Sequence, residues 1–281
     1  MRFIHLSALL LAATVGLVGC STAATVANAP AQTAQADVAT EALPAYETYA
    51  QVVATYVSEN GLVDYSALQA SRQGLDDFND SLDAVDDATY ASWSEADQIA
   101  YWVNAYNSLT LKSIIDEDPI KASIKNIRGV WRIRKHPILG QEKTLDNIEH
   151  QTLRANFDEP RIHAALVCAA ISCPPLRTEP FTGEDLDAQL DDQVEQWLAK
   201  PDGLAIDQAA GEVRLSKIFD WFGQDWIPSY GVESGFAGSE AERAVLNFIS
   251  NYVSEEERAY LVAGDYTVSY FGYDWSLNDQ P

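Results

Sequence analysis

The sequence predicts an α+β fold, a predominantly helical single domain with a small mixed or antiparallel sheet. Two observations predict it: helical periodicity recurs in six long stretches, and period-two alternation is confined to a few short runs scattered among them. A third bounds the domain. No Pro/Gly/Ser-rich linker interrupts residues 43–281, and no internal repeat runs through them, so about 240 residues read as one unit. With 47% apolar residues the chain has ample material for a core. Three cysteines are too few for a disulfide scaffold.

The helical stretches are Tyr46–Ser58, Ser66–Val85, Glu95–Asp116, Leu145–Phe157, Asp185–Ala199 and Glu240–Tyr252. Ser94 and Thr144 are placed to cap the third and fourth, because a hydroxyl there accepts from an otherwise unpaired backbone N–H; Gly183 opens the fifth. Alternation places strands at Val130–Arg134, Ile162–Cys168, Gly203–Ile206 with Glu212–Leu215, and Tyr266–Phe271.

Ahead of the domain, Met1-Arg2 gives a short positive start, and Phe3 to Leu17 is an apolar run of secretory type, too short to span a bilayer. It ends in Leu17-Val18-Gly19-Cys20, which resembles the lipobox of bacterial lipoproteins. The resemblance implies cleavage after residue 19 and acylation of Cys20, with palmitate among the chains, since several acyl chains anchor where one holds only marginally. Residues 20–42 then form a tether rich in Ala, Thr and Gln and poor in large apolar groups. Ser21 after the cysteine, where inner-membrane lipoproteins carry Asp, implies the periplasmic face of the outer membrane of a Gram-negative cell.

The net charge of −24, from 42 acidic and 18 basic residues, argues against nucleic acid as a partner. The basic residues are unevenly spread. Lys121, Lys125, Arg128, Arg132, Arg134 and Lys135 fall between Pro119 and Gln141, which hold no acid between them. With Trp131 and Ile133 pointing inward on a strand, Arg132 and Arg134 share its outer face. This island suits an anionic ligand or lipid headgroup, or neutralises the protein's own acidic surface.

Polar residues on apolar faces are the candidates for function. In the Glu95 helix, Asn107 shares one i, i+4 line with Ile99, Val103, Leu111 and Ile115, and Asn104 lies on the neighbouring line of small residues. A buried amide must find partners, either in a loop backbone or in a ligand. In the next long helix Glu149 shares a line with Leu145, Leu153 and Phe157, so it points inward and needs a partner from among Arg154, Arg161, His150 and His163. Asp146, His150 and Arg154 form a separate i, i+4 series. On a strand His163 and Cys168 face opposite ways, and a thiol–imidazole pair requires the chain to bend. Cys168 and Cys173, followed by two prolines, form a disulfide closing a tight loop, or leave a reactive thiol, or two inert ones. Alternating aromatic and polar groups from Tyr270 to Asn278, including Trp275, suit a cleft wall or a last packed strand. HExxH, P-loop, G-x-S-x-G and G-x-G-x-x-G patterns are absent, so no cofactor is expected and no motif fixes a reaction.

Five ordered blocks resemble the domain of unknown function 547 family: Asn60 to Tyr65, Ala100 to Asn107, Leu145 to His150 with Leu153-Arg154, Pro160 to His163 through Cys168 to Leu176, and Tyr273 to Asn278. The resemblance spans roughly residues 45–278. It implies no established activity, but its blocks coincide with the buried polar residues above. The first reading is a lipid-anchored envelope protein that holds a peptide or anionic ligand through Asn104, Arg154, Arg161, Arg132, Arg134 and Trp275. The second is a thiol hydrolase or acyl-transferase of papain and transglutaminase kind. It would use Cys168 as nucleophile, His163 or His150 as base, Glu149 or Asn107 as orienter and Asn104 as oxyanion donor. The third is a metal site of His150, His163 and Glu149, whose spacing matches no recognised pattern.

Overall fold

Twenty-one residues of α5, Glu95–Ile115, form the central helix, and from Ile99 to Ile115 every residue except Lys112 is buried. A helix apolar on nearly all sides must be surrounded, and the rest of the chain wraps it. The computed structural model describes residues 44–281, which lie in one compact unit. The apolar run, Cys20 and the tether lie outside these residues. Ser94 caps α5 as expected, accepting from the Asp97 N–H at 3.1 Å.

Four helices precede it: α1 (Tyr46–Tyr56), α2 (Tyr65–Ala70), α3 (Gln73–Asp83) and α4 (Asp87–Ser92). The single helix expected over Ser66–Val85 is two, because Ser71 leaves helical geometry at φ −134° and ψ 47°. A short hairpin, β1 (His136–Ile138) with β2 (Gln141–Lys143), leads into a π-helix, Asn147–Leu153, and one α-turn, α6 (Arg154–Asn156). Then follow α7 (Ile162–Ala165) and α8 (Leu186–Leu198). The larger sheet is mixed. β3 (Leu204–Asp207) pairs antiparallel with β4 (Glu212–Leu215), and β4 pairs parallel with β5 (Thr267–Tyr270). Between β4 and β5 lie α9 (Lys217–Phe222), α10 (Ile227–Tyr230), α11 (Glu240–Ile249) and α12 (Glu255–Ala263). Capping boxes at Ser239 and Ser254 start the last two. The α+β class holds, with helix in excess and two small sheets.

Two expected strands are absent. At Val130–Arg134 the chain turns instead. Gly129 sits at φ +70°, and its carbonyl accepts from both Ile133 N–H (2.8 Å) and Arg134 N–H (2.9 Å). Ile133 therefore points out, 72% exposed, rather than in. Ile162–Cys168 is a single turn of helix followed by extended chain. The Asn107 amide sets that change: its Nδ2 donates to the Ala165 carbonyl at 2.9 Å, and its Oδ1 accepts from Val167 N–H at 2.9 Å. One turn earlier on α5, Asn104 pairs in the same reciprocal way with both backbone groups of Phe181, at 2.7 and 3.0 Å.

The apolar residues gather in two clusters. One surrounds α5 with α1, α2, α3 and the π-helix; the other joins α9, α11, α12 and the larger sheet to one side of α8. Tyr273 packs against both. Residues beyond it tie the first cluster shut. Asp279 bridges Val63, Leu277 bridges Ala170, and the Tyr65 hydroxyl donates to Asn278 Oδ1 at 2.7 Å. Gly61 lies under this seam at φ +78°, where a Cβ would stand 2.5 Å from Pro175 Cα; only glycine lets the two loops meet.

Candidate functional site

A cavity of about 610 Å³ opens where the two clusters meet. Its base comes from Tyr106 of α5, Leu166 and Cys168. One side is the turn from Lys125 to Ile133; the other is α9, which supplies Ile218, Trp221 and Phe222. Tyr273 and Trp275 close it, and Asp146, Glu149, His150 and His163 complete the lining. The aromatic wall is continuous. Tyr273 and Trp275 lie 4.5 Å apart between centroids, Trp221 packs on both at 4.8 and 5.8 Å, and Trp131 meets Trp275 edge-on at 6.0 Å.

The helix expected over Leu145–Phe157 is π-helical for most of its length. Its wider turn sets Glu149 and His150, neighbours in sequence, side by side on the cleft. Thr144 Oγ1 accepts from Asn147 N–H at 3.1 Å, so the expected cap hydroxyl is used. The Glu149 carboxylate is 14% exposed and 3.8 Å from His150 Nδ1. Beside it stands the hydroxyl of fully buried Tyr106, held well above the ordinary phenol range by burial first and by the negative charge of Glu149 second.

His163 is buried and stacks on Phe222 at 4.5 Å. Its Nε2 lies 2.7 Å from Asp225 Oδ2. Because a carboxylate only accepts, Nε2 carries the hydrogen. Asp225 also receives both Nε and Nη2 of Arg154, at 2.6 and 2.8 Å, while Arg154 Nη1 donates to His150 Nδ1 at 2.9 Å. Its carboxyl sits far below the ordinary carboxylate range: desolvation pushes it up, and the opposing bonds from Arg154 and His163 overcome that. The chain His150–Arg154–Asp225–His163 fixes both imidazoles from behind.

Cys168 and Cys173 form a disulfide. Cys168 is half-buried on the cleft, whereas Cys173 is 1% exposed. The Tyr273 hydroxyl stands 3.1 Å from Cys168 Sγ and 3.2 Å from Cys173 Sγ. The bend after α7 brings His163 and Cys168 onto one cavity, which a strand would have forbidden.

Of the basic island, Lys125, Arg128 and Arg132 reach the cleft mouth. Lys125 Nζ sits 4.9 Å over the Trp275 ring, and Arg132 pairs with Asp146 at 3.1 Å while remaining 82% exposed. Arg128 has no hydrogen-bond or ion-pair partner among the described residues. Arg134 does not share their face. It turns back to Glu117 (2.7 Å) and the Ser113 carbonyl (3.0 Å) near the end of α5, where a cation offsets the helix dipole.

The structure therefore brings together Glu149, His150, His163, Cys168, Arg132 and Trp275, and not the others. Asn104 and Asn107 serve loop backbones. Arg154 stands behind the imidazoles and lines a separate, smaller cavity of about 390 Å³. Arg161 is taken up by Glu159, Asp187 and Asp191, at 2.6, 2.8 and 2.8 Å, and does not partner Glu149. Asp225, Trp221 and Phe222 were not singled out from the sequence. The signal available was the pair of acids, Asp220 and Asp225, embedded in the aromatic run Phe219 to Trp226. Among the described residues no three His, Cys, Asp or Glu side chains cluster as metal ligands.

Residues 90–198 match the model of a family described as "Protein of unknown function, DUF547". The match is narrower than residues 45–278: it holds α5, the π-helix and the disulfide, while α9, Asp225, Tyr273 and Trp275 lie beyond it. No curated protein and no solved structure matches.

Proposed function

For a chain whose residues 90–198 match the DUF547 family model, we propose a binding module of the cell envelope, lipid-anchored through Cys20. Its cleft holds a peptide with an anionic group and an apolar body. The observation that supports this is the cationic mouth set on an aromatic wall: Lys125, Arg128 and Arg132 meet Trp131, Trp221 and Trp275 in a chain of net charge −24. Aromatic rings bury an apolar body at little entropic cost, and the unpaired Arg128 guanidinium fits a carboxylate through two parallel bonds. Deeper in, Glu149 accepts a donor such as a peptide N–H. With Cys168 bonded to Cys173, the thiol-enzyme reading has no free nucleophile in the oxidised form.

Intrinsic tryptophan fluorescence follows the binding. An acidic peptide bearing one aromatic residue is expected to bind, with affinity falling as salt rises; the charge-reversed basic peptide is not. Arg128→Glu should weaken the acidic peptide about tenfold, roughly 1.4 kcal/mol. Equal binding of both peptides, or an unchanged Kd in Arg128→Glu, removes the reading. The anchor is tested separately. Cys20→Ser should shift the protein from the membrane pellet to the soluble fraction, and continued sedimentation with membranes would refute anchoring at that residue.

A further inference from the structure

The two sulfurs of the Cys168–Cys173 bridge are not equivalent. Cys168 Sγ lines the cleft, and Cys173 Sγ is buried behind it. Cys173 Sγ also accepts the Cys168 N–H at 3.0 Å, a donor the outer sulfur lacks, and the Tyr273 hydroxyl, 3.1 Å from Cys168 Sγ and 3.2 Å from Cys173 Sγ, stands within reach of whichever sulfur leaves. Donors at a sulfur favour its thiolate form. An attacking thiolate entering by the cleft meets Cys168 first, and the sulfur it displaces is the one already solvated by protein groups.

The loop does not need the bridge to stay in place. Ile171 N–H donates to the Ser276 carbonyl at 2.9 Å, and Ser172 exchanges two bonds with Asp274, at 3.2 and 2.8 Å. Lys200 Nζ holds the carbonyls of Ile171 and Cys173 at 2.5 and 2.6 Å. A bridge over so few residues takes little chain entropy from the unfolded state. The loop thus keeps five other bonds when the bridge opens, as a bridge that exchanges with a substrate thiol requires.

We propose that the Cys168–Cys173 disulfide is a thiol–disulfide exchange centre that oxidises a dithiol presented in the cleft. This rests on the geometry of the bridge and not on the anionic-peptide reading. One substrate thiolate attacks Cys168 Sγ; a new S–S bond forms there, the Cys168–Cys173 bond breaks, and its electron pair leaves on Cys173 Sγ. The second substrate thiolate then attacks the substrate sulfur of the mixed disulfide and displaces Cys168. The substrate gains a disulfide and loses two electrons and two protons, and both end on the Cys168 and Cys173 thiols.

The test uses the full chain, with alkylation sites mapped by mass spectrometry so that Cys20 is counted apart. Dithiothreitol at near-neutral pH should reduce the bridge within minutes in native buffer, leaving circular dichroism unchanged. With glutathione followed by acid quench, the transient adduct should map to Cys168 and not Cys173. Cys173→Ser should trap a stable adduct at Cys168 from oxidised glutathione, whereas Cys168→Ser should take up none. Tyr273→Phe should slow reduction of the bridge about tenfold, the loss of one donor to the departing sulfur. Reduction only in denaturant, unfolding on reduction, or adducts distributed equally between the cysteines would each overturn the proposal. The wild-type glutathione map decides the matter if either serine variant fails to fold.

Discussion

Asn107→Ala is expected to destabilise the fold by about 2–4 kcal/mol, although it removes no apolar contact of any size. The amide satisfies two buried backbone groups at once, the Ala165 carbonyl and the Val167 N–H, each at 2.9 Å. Alanine leaves both without a partner in a region closed to water, and each such orphan costs about 1–3 kcal/mol. Asn107→Asp should not rescue it. The carboxylate still accepts from Val167 N–H but sets an oxygen against the Ala165 oxygen, and it buries a charge. Urea unfolding of the three proteins measures this. An alanine variant within about 0.5 kcal/mol of the parent would show that the Ala165–Val167 bend holds itself.

Asp225→Asn should cost about 2–3 kcal/mol at neutral pH and make the acid side of the stability profile shallower. The carboxylate is 23% exposed and holds the Arg154 guanidinium and the His163 ring together. Taking away its charge leaves a half-buried cation facing a neutral amide, and removing one partner of such a pair costs more than the pair itself contributes. The pH sign follows from the depressed pKa of Asp225. A carboxyl that ionises more readily when folded stabilises the fold fully above its unfolded value, near 4, and loses that contribution as pH falls through the folded value. The wild type should thus lose stability steeply below about pH 4. The asparagine variant starts lower and falls less, since the other depressed carboxyls, Asp76 and Asp191 among them, still titrate. Parallel acid limbs in the two proteins would mean that Asp225 does not couple folding to protons. Because His163 lines the cleft, the same variant should also lower affinity for any ligand that contacts the imidazole.

What the sequence showed and what it hid divide along the range of the forces involved. The α5 helix was legible because twenty-one residues of apolar pattern, with Ser94 before them, speak through local geometry alone. Asn107 and Glu149 were legible as polar groups on apolar lines. Val130–Arg134 and Ile162–Cys168 misled because short apolar runs alternate equally well in strands and tight turns. The deciding agents were a glycine at positive φ and an amide 58 to 60 positions away. Asp225 stayed hidden for a related reason: its partners His163 and Arg154 lie 62 and 71 positions earlier. Arg161 could have been set aside, since Glu159 two residues before it is a local partner already in reach. The π-helix left no trace in the pattern, because widening a turn by one residue changes which side chains are neighbours without changing which are apolar.

The seam made by residues 273–280 governs the order in which the molecule assembles. Tyr273 must meet cysteines 100 and 105 positions behind it, and Asn278 must find Tyr65 across 213. Closing such spans costs chain entropy before any contact repays it, and contacts of long sequence separation slow folding. The helices around α5 rest on nearer contacts and can form first, leaving an unfinished hollow with its aromatic wall missing. Closure of the aromatic wall, followed by tryptophan fluorescence, should therefore come late in refolding, after most of the helical signal has returned.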